Sequence, residues 1–334
     1  MLKRIPELDG LRAIAILAVL VGHFPLATAM APLASYGDTG VVLFFCLSGF
    51  LITRILIELK EREIGSGSKL AIFVTRRALR IFPIYYMTLA VCLVVGYGPV
   101  IDNWHRLITY TANYVPFLGW PPARLGQAAH LWSLSVEEQF YLLWPLVVLF
   151  FPLIWLRPLV LAIVVAAASA KLYFAVSGFN YGLVFRAVFS SMDSLGIGAL
   201  LALSPRLRFP NATLPLVTAL FVVMTAWRIW AGIDPWYLGS EWFGVIYFFV
   251  IIACSAALLD RATWQERWLL SPILGNAVMR YIGRISYGLY VYHFFMPLLV
   301  PNRPSIVWVA TFAVAIASWH LIEQPILKLR DAVR

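Results

Sequence analysis

Runs of about 20 mostly apolar residues recur along the whole chain, and they restrict its fold more than any other feature. A helix of that length crosses the hydrocarbon core of a bilayer, where only helices and closed barrels satisfy every backbone hydrogen bond. With 62% hydrophobic and 13% charged residues, the composition leaves little room for a soluble protein. About ten runs fit the chain: 13–31, 39–57, 81–99, 131–153, 157–177, 186–204, 211–231, 241–259, 285–301 and 304–323. The sequence therefore predicts an all-α integral membrane protein.

The basic residues are divided unequally between the two sides of such a membrane protein. With the amino terminus inside, all but six of the 26 Lys and Arg residues are cytoplasmic. The six exceptions are Arg106, Arg124, Lys171, Arg186, Arg228 and Arg303. The positive-inside rule then predicts that both termini are cytoplasmic. We attribute the formal net charge of +10 mainly to this topology, and expect contacts with membrane lipid or a phosphorylated ligand rather than nucleic acid.

The polar segments between the runs are short, so we expect one transmembrane domain over residues 1–334 with no appended soluble domain. Residues 58–69 read as a cytoplasmic loop, and 101–129 as an outer loop or a short re-entrant segment. Residues 260–284 resemble a helix lying on the cytoplasmic surface. The first run lacks a small-residue cleavage site and is expected to be a retained span.

Two ionisable residues, Arg12 and His23, share one face of the first run. They lie three helical turns apart, about 16 Å along the axis. Ionisable groups inside a bilayer are costly unless they face protein or water, so they mark candidate functional sites. His23 alone also fits a hydrogen-bonded core residue. Arg12 on the same face favours a central polar cavity.

A polar and aromatic stripe follows in the run at 131–153. Ser133, Glu137 and Tyr141 recur there at helical spacing, whereas Glu138 points to another face. Hydrogen bonding between helices explains Ser and Tyr well, but a carboxylate in a bilayer needs a cation, a proton or water. His23 is the simplest partner for Glu137.

A basic cluster comes just before the run at 81–99. Arg77 and Arg80 lie three residues apart on one face of a predicted cytoplasmic helix start, beside Arg76. Guanidinium groups match phosphate oxygens in geometry and charge. A topological anchor is the alternative explanation.

Seven motifs occur in order along the chain. They are ELDGLRA at 7–13 with His23, GVVLFFCLSGFLI at 40–52, RALRIFP at 77–83, WSLSVEEQFY at 132–141, MDSLG at 192–196, SYGLYVYH at 286–293 and EQP at 323–325. In this order they resemble the acyltransferase 3 family of membrane-bound acyltransferases over nearly the whole chain. One departure is Val42, where many relatives carry an acidic residue, so an acceptor contact at that position is in doubt.

The resemblance implies transfer of an acyl group, most often acetyl from acetyl-CoA, to a hydroxyl of a glycan, glycolipid or other acceptor. It also implies a location in the bacterial inner membrane, with acyl-CoA as co-substrate and no metal. The catalytic residues would be His23 and Glu137. The residues expected to bind CoA are Arg12, Arg76, Arg77, Arg80 and Tyr85, and those expected to bind the acceptor are Ser133, Tyr141, Asp193 and His293.

Several roles stay open at this level. His23 either activates the acceptor hydroxyl or carries the acyl group itself. Asp193 either pairs with Arg186 or lines the acceptor side, and His293 is either a packing residue or a second base. Glu323 most simply neutralises a nearby arginine.

Two rival functions use the same residues. A transporter or flippase would suit a polar cavity with proton-relaying groups, but the internal repeat and broken helices typical of transporters are not recognisable. A metal-dependent membrane hydrolase needs His and carboxylate ligands clustered at helical spacing, which the sequence does not offer.

Overall fold

A computed structural model describes residues 5–26, 37–119, 121–178, 181–204, 208–233, 241–264, 268–301 and 303–332. All regular structure in these ranges is helical, which confirms the predicted fold class. The α-helices are α1 Pro6–His23, α2 Gly37–Lys60, α3 Ser66–Val94, α4 Gly98–Ile108, α5 Trp132–Phe150, α6 Leu153–Val176, α7 Tyr181–Arg186, α8 Val188–Leu203, α9 Thr213–Ala231, α10 Glu241–Trp264, α11 Ser271–Leu274, α12 Ala277–Tyr292, α13 Pro304–Ser318 and α14 Gln324–Ala332.

Six of the described helical segments are long and apolar enough to cross a membrane, so the protein is an integral membrane protein. They are Gly37–Lys60, Ser66–Val94, Leu153–Val176, Thr213–Ala231, Trp242–Thr263 and Pro304–Leu329. The other predicted spans correspond to shorter or more polar helices, such as α8 with 16 residues and α12 with 16. The count of about ten spans and the orientation stay predictions.

Three sequence-based boundaries differ from the structure. The helix predicted to begin at residue 81 begins at Ser66, so the arginine cluster lies within α3 rather than at its start. Residues 101–129 contain part of α4 and two 3-10 segments, Ala112–Leu118 and Pro122–Leu131, rather than an open loop. In place of an interfacial helix at 260–284, the described residues form the end of α10, the short α11 and the start of α12.

The helices cluster into two compact units. The described part of the first unit comprises residues 5–15, 38–55 and 151–283 with the gaps given above. The second comprises 16–37, 56–150 and 284–334, likewise with gaps. Most residues of the candidate site belong to the second unit.

The first unit is held together by close helix contacts at glycines. Gly49 of α2 lies against the backbone carbonyl of Leu195 in α8, and Gly198 of α8 lies against the carbonyl of Cys46 in α2. A methyl group at either glycine would overlap these backbone atoms. Small residues allow membrane helices to approach in this way, and van der Waals packing then stabilises the pair.

The change Gly198→Ala is therefore expected to destabilise the first unit. Overpacking of this kind costs about 1–3 kcal/mol, because the facing group is backbone and has no rotamer by which to move away. Gly67→Ala is the matched control, since a methyl group there meets nothing within 4 Å. Denaturant unfolding in detergent measures both changes, and equal stability of the two variants would contradict the close approach.

In the second unit, α3 packs against α4, α5, α14 and the segment Trp319–Glu323. That segment is a π turn between α13 and α14. In a π turn residues five apart are neighbours, and the hydroxyl of Ser318 donates to Oε1 of Glu323 at 3.2 Å. The turn thus directs Glu323 towards α3.

Candidate active site

Three histidine rings, those of His23, His130 and His293, meet in the second unit. The ring centroids of His23 and His293 lie 5.1 Å apart, and those of His130 and His293 lie 4.9 Å apart. His293 is fully buried and His130 is 4% exposed, whereas His23 is exposed. The cluster therefore presents one accessible imidazole backed by two buried ones.

Hydrogen bonds fix the rings in place. Nδ1 of His23 lies 3.2 Å from Nε2 of His293, whose Nδ1 lies 2.6 Å from the carbonyl of Tyr290. The carbonyl of Phe24, directly after His23, accepts a hydrogen bond from Trp308 at 2.9 Å. His23 is the last residue of α1, not a mid-span residue, and residues 27–31 of its predicted span lie outside the described residues.

His130 was not singled out by the sequence reasoning. Its Nδ1 lies 2.8 Å from the carbonyl of Gln127 and its Nε2 lies 3.2 Å from that of Val291. Burial lowers the pKa of His130 to about 3, and the nearby His23 acts in the same direction. The neutral ring can donate to only one of the two carbonyls. The sequence feature that could have pointed to His130 is its position two residues before the motif at 132–141.

At the amino-terminal end of α5, the polar stripe makes contacts between helices. Ser133 and Tyr290 are buried, with their hydroxyl oxygens 2.5 Å apart. Tyr290 also donates to the carbonyl of His130 at 2.9 Å. Ser133, expected to bind the acceptor, thus has the interhelical contact that the sequence left as the alternative.

The arginine cluster of α3 is matched by carboxylates. Arg77 lies over the ring of Tyr141 at 5.9 Å and interacts electrostatically with Glu138. Arg80 interacts in the same way with Glu323, as predicted for that glutamate. The sequence analysis gave Glu138 no role, because it considered only the helix face that carries Glu137.

Aromatic hydroxyls surround this charged cluster. Tyr85, expected to bind CoA, is fully buried, stacks on Tyr110 at 4.4 Å and donates to the carbonyl of Leu107 at 2.8 Å. Tyr287 of α12 donates to the carbonyl of Ile81 at 2.8 Å. Tyr85 is therefore part of the packed interior around the arginines.

Helix α12 links the arginine cluster to the imidazole cluster. Tyr287 contacts α3 beside Arg80, and His293 follows six residues later, about 9 Å along a helix. The amide of His293 still bonds to the carbonyl of Leu289 at 3.2 Å, so the helical path continues to the imidazoles. The arginine cluster and the imidazole cluster thus lie at successive positions along α12, both in the second unit.

Two other predicted site residues belong to the first unit. Arg12 forms an ion pair with Asp9 at 3.1 Å. Asp193 is 2% exposed and pairs at 2.5 Å with Lys171, which is 1% exposed. The carboxylate is thus paired structurally, but with a lysine of α6 rather than the expected Arg186.

The expected pairing of Glu137 with His23 stays a prediction. Glu137 is half-buried beside Glu138 on α5, and the hydrogen bonds described for His23 go to His293 and to the backbone of Val19. Within the described residues no group of three or more His, Cys, Asp or Glu side chains could hold a metal ion.

Comparisons with known proteins show which proteins the chain is similar to. The chain is 31% identical to the peptidoglycan O-acetyltransferase OatA of Listeria monocytogenes over 98% of its own length and 56% of that protein. It is 28% identical to the putative peptidoglycan O-acetyltransferase YrhL of Bacillus subtilis over 97% of the chain and 55% of that protein. A putative O-acetyltransferase of Staphylococcus aureus is 28% identical over 88% of the chain and 50% of that protein.

The chain spans about half the length of the curated relatives it matches. No solved structure is significantly similar to it. The model of the acyltransferase 3 family, described as an acyltransferase domain, matches residues 5–323. The protein therefore belongs to the acyltransferase 3 family.

Proposed function

We propose that this protein transfers an acetyl group from acetyl-CoA to a hydroxyl group of a cell-wall glycan at the bacterial inner membrane. The observation that carries the proposal is an exposed imidazole, His23, joined through His293 and α12 to the arginine cluster of α3. The names of the relatives, which are O-acetyltransferases, support both the reaction and a glycan acceptor.

The phosphates of the donor would bind at Arg76, Arg77 and Arg80. Against these three arginines the described contacts set two carboxylates, Glu138 and Glu323, so the cluster keeps an excess of positive charge. Guanidinium groups can hold a carboxylate and a phosphate together, because each has five donors. In this proposal Arg12 adds a further contact.

The reaction then needs one proton acceptor. His23 takes the proton of the acceptor hydroxyl as its oxygen attacks the thioester carbonyl. A carbon–oxygen bond forms, the carbon–sulfur bond breaks, and the proton passes to the departing CoA thiolate. If His23 first carries the acetyl group itself, a carbon–nitrogen bond forms as the carbon–sulfur bond breaks, and it breaks again when the acceptor oxygen attacks and gives its proton to the imidazole. The kinetics then become ping-pong rather than sequential. Glu137 would stabilise the charged ring, and Tyr141 would contact the acceptor.

Binding of acetyl-CoA to the purified protein tests the donor site. Arg80→Ala is expected to weaken binding about 10- to 100-fold, since charge-assisted hydrogen bonds contribute about 1.5–3 kcal/mol. Because Arg80→Ala leaves Glu323 without its cation, the double variant Arg80→Ala/Glu323→Gln is measured beside it.

The matched control is Arg303→Ala, which removes an exposed arginine from the start of α13. It should bind acetyl-CoA like the unchanged protein. Equal affinity of all four proteins would contradict the arginine site. No binding by the unchanged protein at any concentration would favour a transporter.

Mass spectrometry of the cell-wall glycans identifies the acceptor. Cells with the unchanged protein should show glycans heavier by one acetyl group, absent from cells carrying His23→Ala and from deletion cells. Identical spectra from the three strains would overturn the proposed function.

A further inference from the structure

We propose that His293 is a positioning residue that fixes the tautomer of His23, so that Nε2 of His23 is the atom that reacts. This inference deepens the proposed function and rests on it. It is carried by the hydrogen bonds of the imidazole cluster and, separately, by the space next to one edge of the His23 ring.

The first step concerns His293 itself. Its Nδ1 lies 2.6 Å from the carbonyl of Tyr290, and a carbonyl only accepts hydrogen bonds, so Nδ1 carries a proton. The ring is fully buried, and its described hydrogen-bond partners are the backbone of Tyr290, the backbone of Leu289 and another imidazole. An unpaired charge buried there would be costly, so the ring is neutral. Nε2 of His293 is therefore unprotonated.

The second step concerns which nitrogen of His23 carries the proton. The unprotonated Nε2 of His293 can only accept, and its partner at 3.2 Å is Nδ1 of His23. His23 must therefore carry its proton on Nδ1 and, when neutral, leave a lone pair on Nε2. With the opposite tautomer two lone pairs would face each other across this distance. The backbone carbonyl of Tyr290 thus acts through two rings on the tautomer of His23, which also has a hydrogen bond with the backbone of Val19.

A separate observation concerns access to the His23 ring. Gly37, the first residue of α2, lies beside the Cε1 edge of that ring. A methyl group on Gly37 would be 3.2 Å from Cε1, 3.3 Å from Nε2 and 3.6 Å from Nδ1, and the first two distances are shorter than such contacts normally are. A side chain at position 37 would therefore crowd the ring next to Nε2, the nitrogen that the hydrogen bonds leave unprotonated.

The chemical consequence is a base that is ready for its substrate. When Nε2 takes the hydroxyl proton, His23 becomes an imidazolium, and its Nδ1–H keeps donating to His293 without further movement. His293 stabilises this charged form as an acceptor while its own protons stay in place. The order is the one found in catalytic triads, where the third group holds the tautomer and orientation of the base.

Nitrogen-15 NMR of histidine-labelled protein tests the tautomer without relying on activity. The chain has five histidines, and the signals that disappear in His23→Gln identify His23. We expect those signals to show a protonated Nδ1 and a bare Nε2 at neutral pH. In His293→Phe this preference should be weakened, because only the contact of His23 with the backbone of Val19 remains. A bare Nδ1 in the unchanged protein would overturn the inference, whatever the catalytic rates.

Kinetics of two variants at position 293 test the consequence for catalysis. His293→Phe keeps a ring but removes the acceptor, and kcat is expected to fall about 10²- to 10⁴-fold, as when a base loses its orienting partner. His293→Gln places an amide oxygen that can accept from Nδ1 of His23, and should recover at least tenfold of that loss. The KM for acetyl-CoA should change less than about threefold in both.

Each outcome separates this inference from the function on which it rests. A His23-dependent transfer that is unaffected by His293→Phe would refute the positioning role and leave the transferase intact. Absence of acetyl transfer by the unchanged protein would refute the function, while the NMR result would still stand for the tautomer. Equal losses in His293→Phe and His293→Gln, with a raised KM, would indicate only structural damage and contradict the inference.

The space at Nε2 has its own test. Gly37→Ala should lower kcat at least tenfold, because the added methyl group occupies the approach to Nε2. Gly65→Ala is the control, since a methyl group there meets nothing within 4 Å. Unchanged activity of Gly37→Ala would show that the substrate approaches elsewhere.

Discussion

Replacing His23 by glutamine is expected to lower the rate of acetyl transfer about 10²- to 10⁴-fold, the usual contribution of a general base. Glutamine keeps a similar length and can still donate a hydrogen bond to His293, but it cannot accept a proton in the reaction. The expected loss is in kcat, whereas the KM for acetyl-CoA should stay nearly constant, because the phosphates bind at the arginines of α3. Steady-state assays with varied donor concentration measure both.

The matched control for this change is His105→Gln on α4. His105 is exposed and contacts the ring of Trp104 at 6.0 Å, away from the imidazole cluster. Its replacement should leave kcat within about twofold of the unchanged protein. Equal activity of the His23→Gln and His105→Gln proteins would refute the assignment of His23 as the reacting residue.

The change Lys171→Met is expected to lower the free energy of unfolding by about 3–5 kcal/mol, because it leaves a buried carboxylate without its cation. Asp193 is 2% exposed, and its ion pair with Lys171 is 2.5 Å long. The ammonium group also lies 5.6 Å from the centre of the Phe185 ring, so the lysine has aromatic contacts to lose. Denaturant unfolding in detergent measures the effect.

The double variant Lys171→Met/Asp193→Leu separates charge from packing. Replacing a buried ion pair by apolar residues of similar volume is often neutral or stabilising. We therefore expect the second change to restore most of the stability lost in the first. If the double variant is as unstable as Lys171→Met, the pair contributes through shape rather than charge.

The sequence predicted the helical fold well because apolar runs report directly on membrane helices. It predicted the wrong helix boundaries at the ends of runs, where polar residues continue a helix. In α3, residues 66–80 are too polar for a hydropathy window, yet they are helical, and α3 packs against α14 and the π turn. The short helix α11 lies within residues 260–284, which the sequence predicted to be one continuous helix.

The sequence singled out residues for the candidate site but did not predict which side chains contact each other. His23, the arginines and the carboxylate of Glu323 were recognised as chemically unusual for a bilayer. Their partners depend on contacts between distant parts of the chain, and His23 meets His293 across 270 positions of sequence. For Asp193 the sequence left open a structural pairing with Arg186 or a place on the acceptor side, and it did not predict the ion pair with Lys171, because Lys171 belongs to another helix.

The π turn between α13 and α14 sets the angular phase of the carboxyl-terminal segment. A π turn takes up one residue more than an α-helical turn, so residues five apart share a face there as residues four apart do in an α-helix. The hydroxyl of Ser318 therefore reaches the carboxylate of Glu323 across the additional residue. A single-codon deletion between these two residues would leave a regular α-helix in which they are four apart and still face each other.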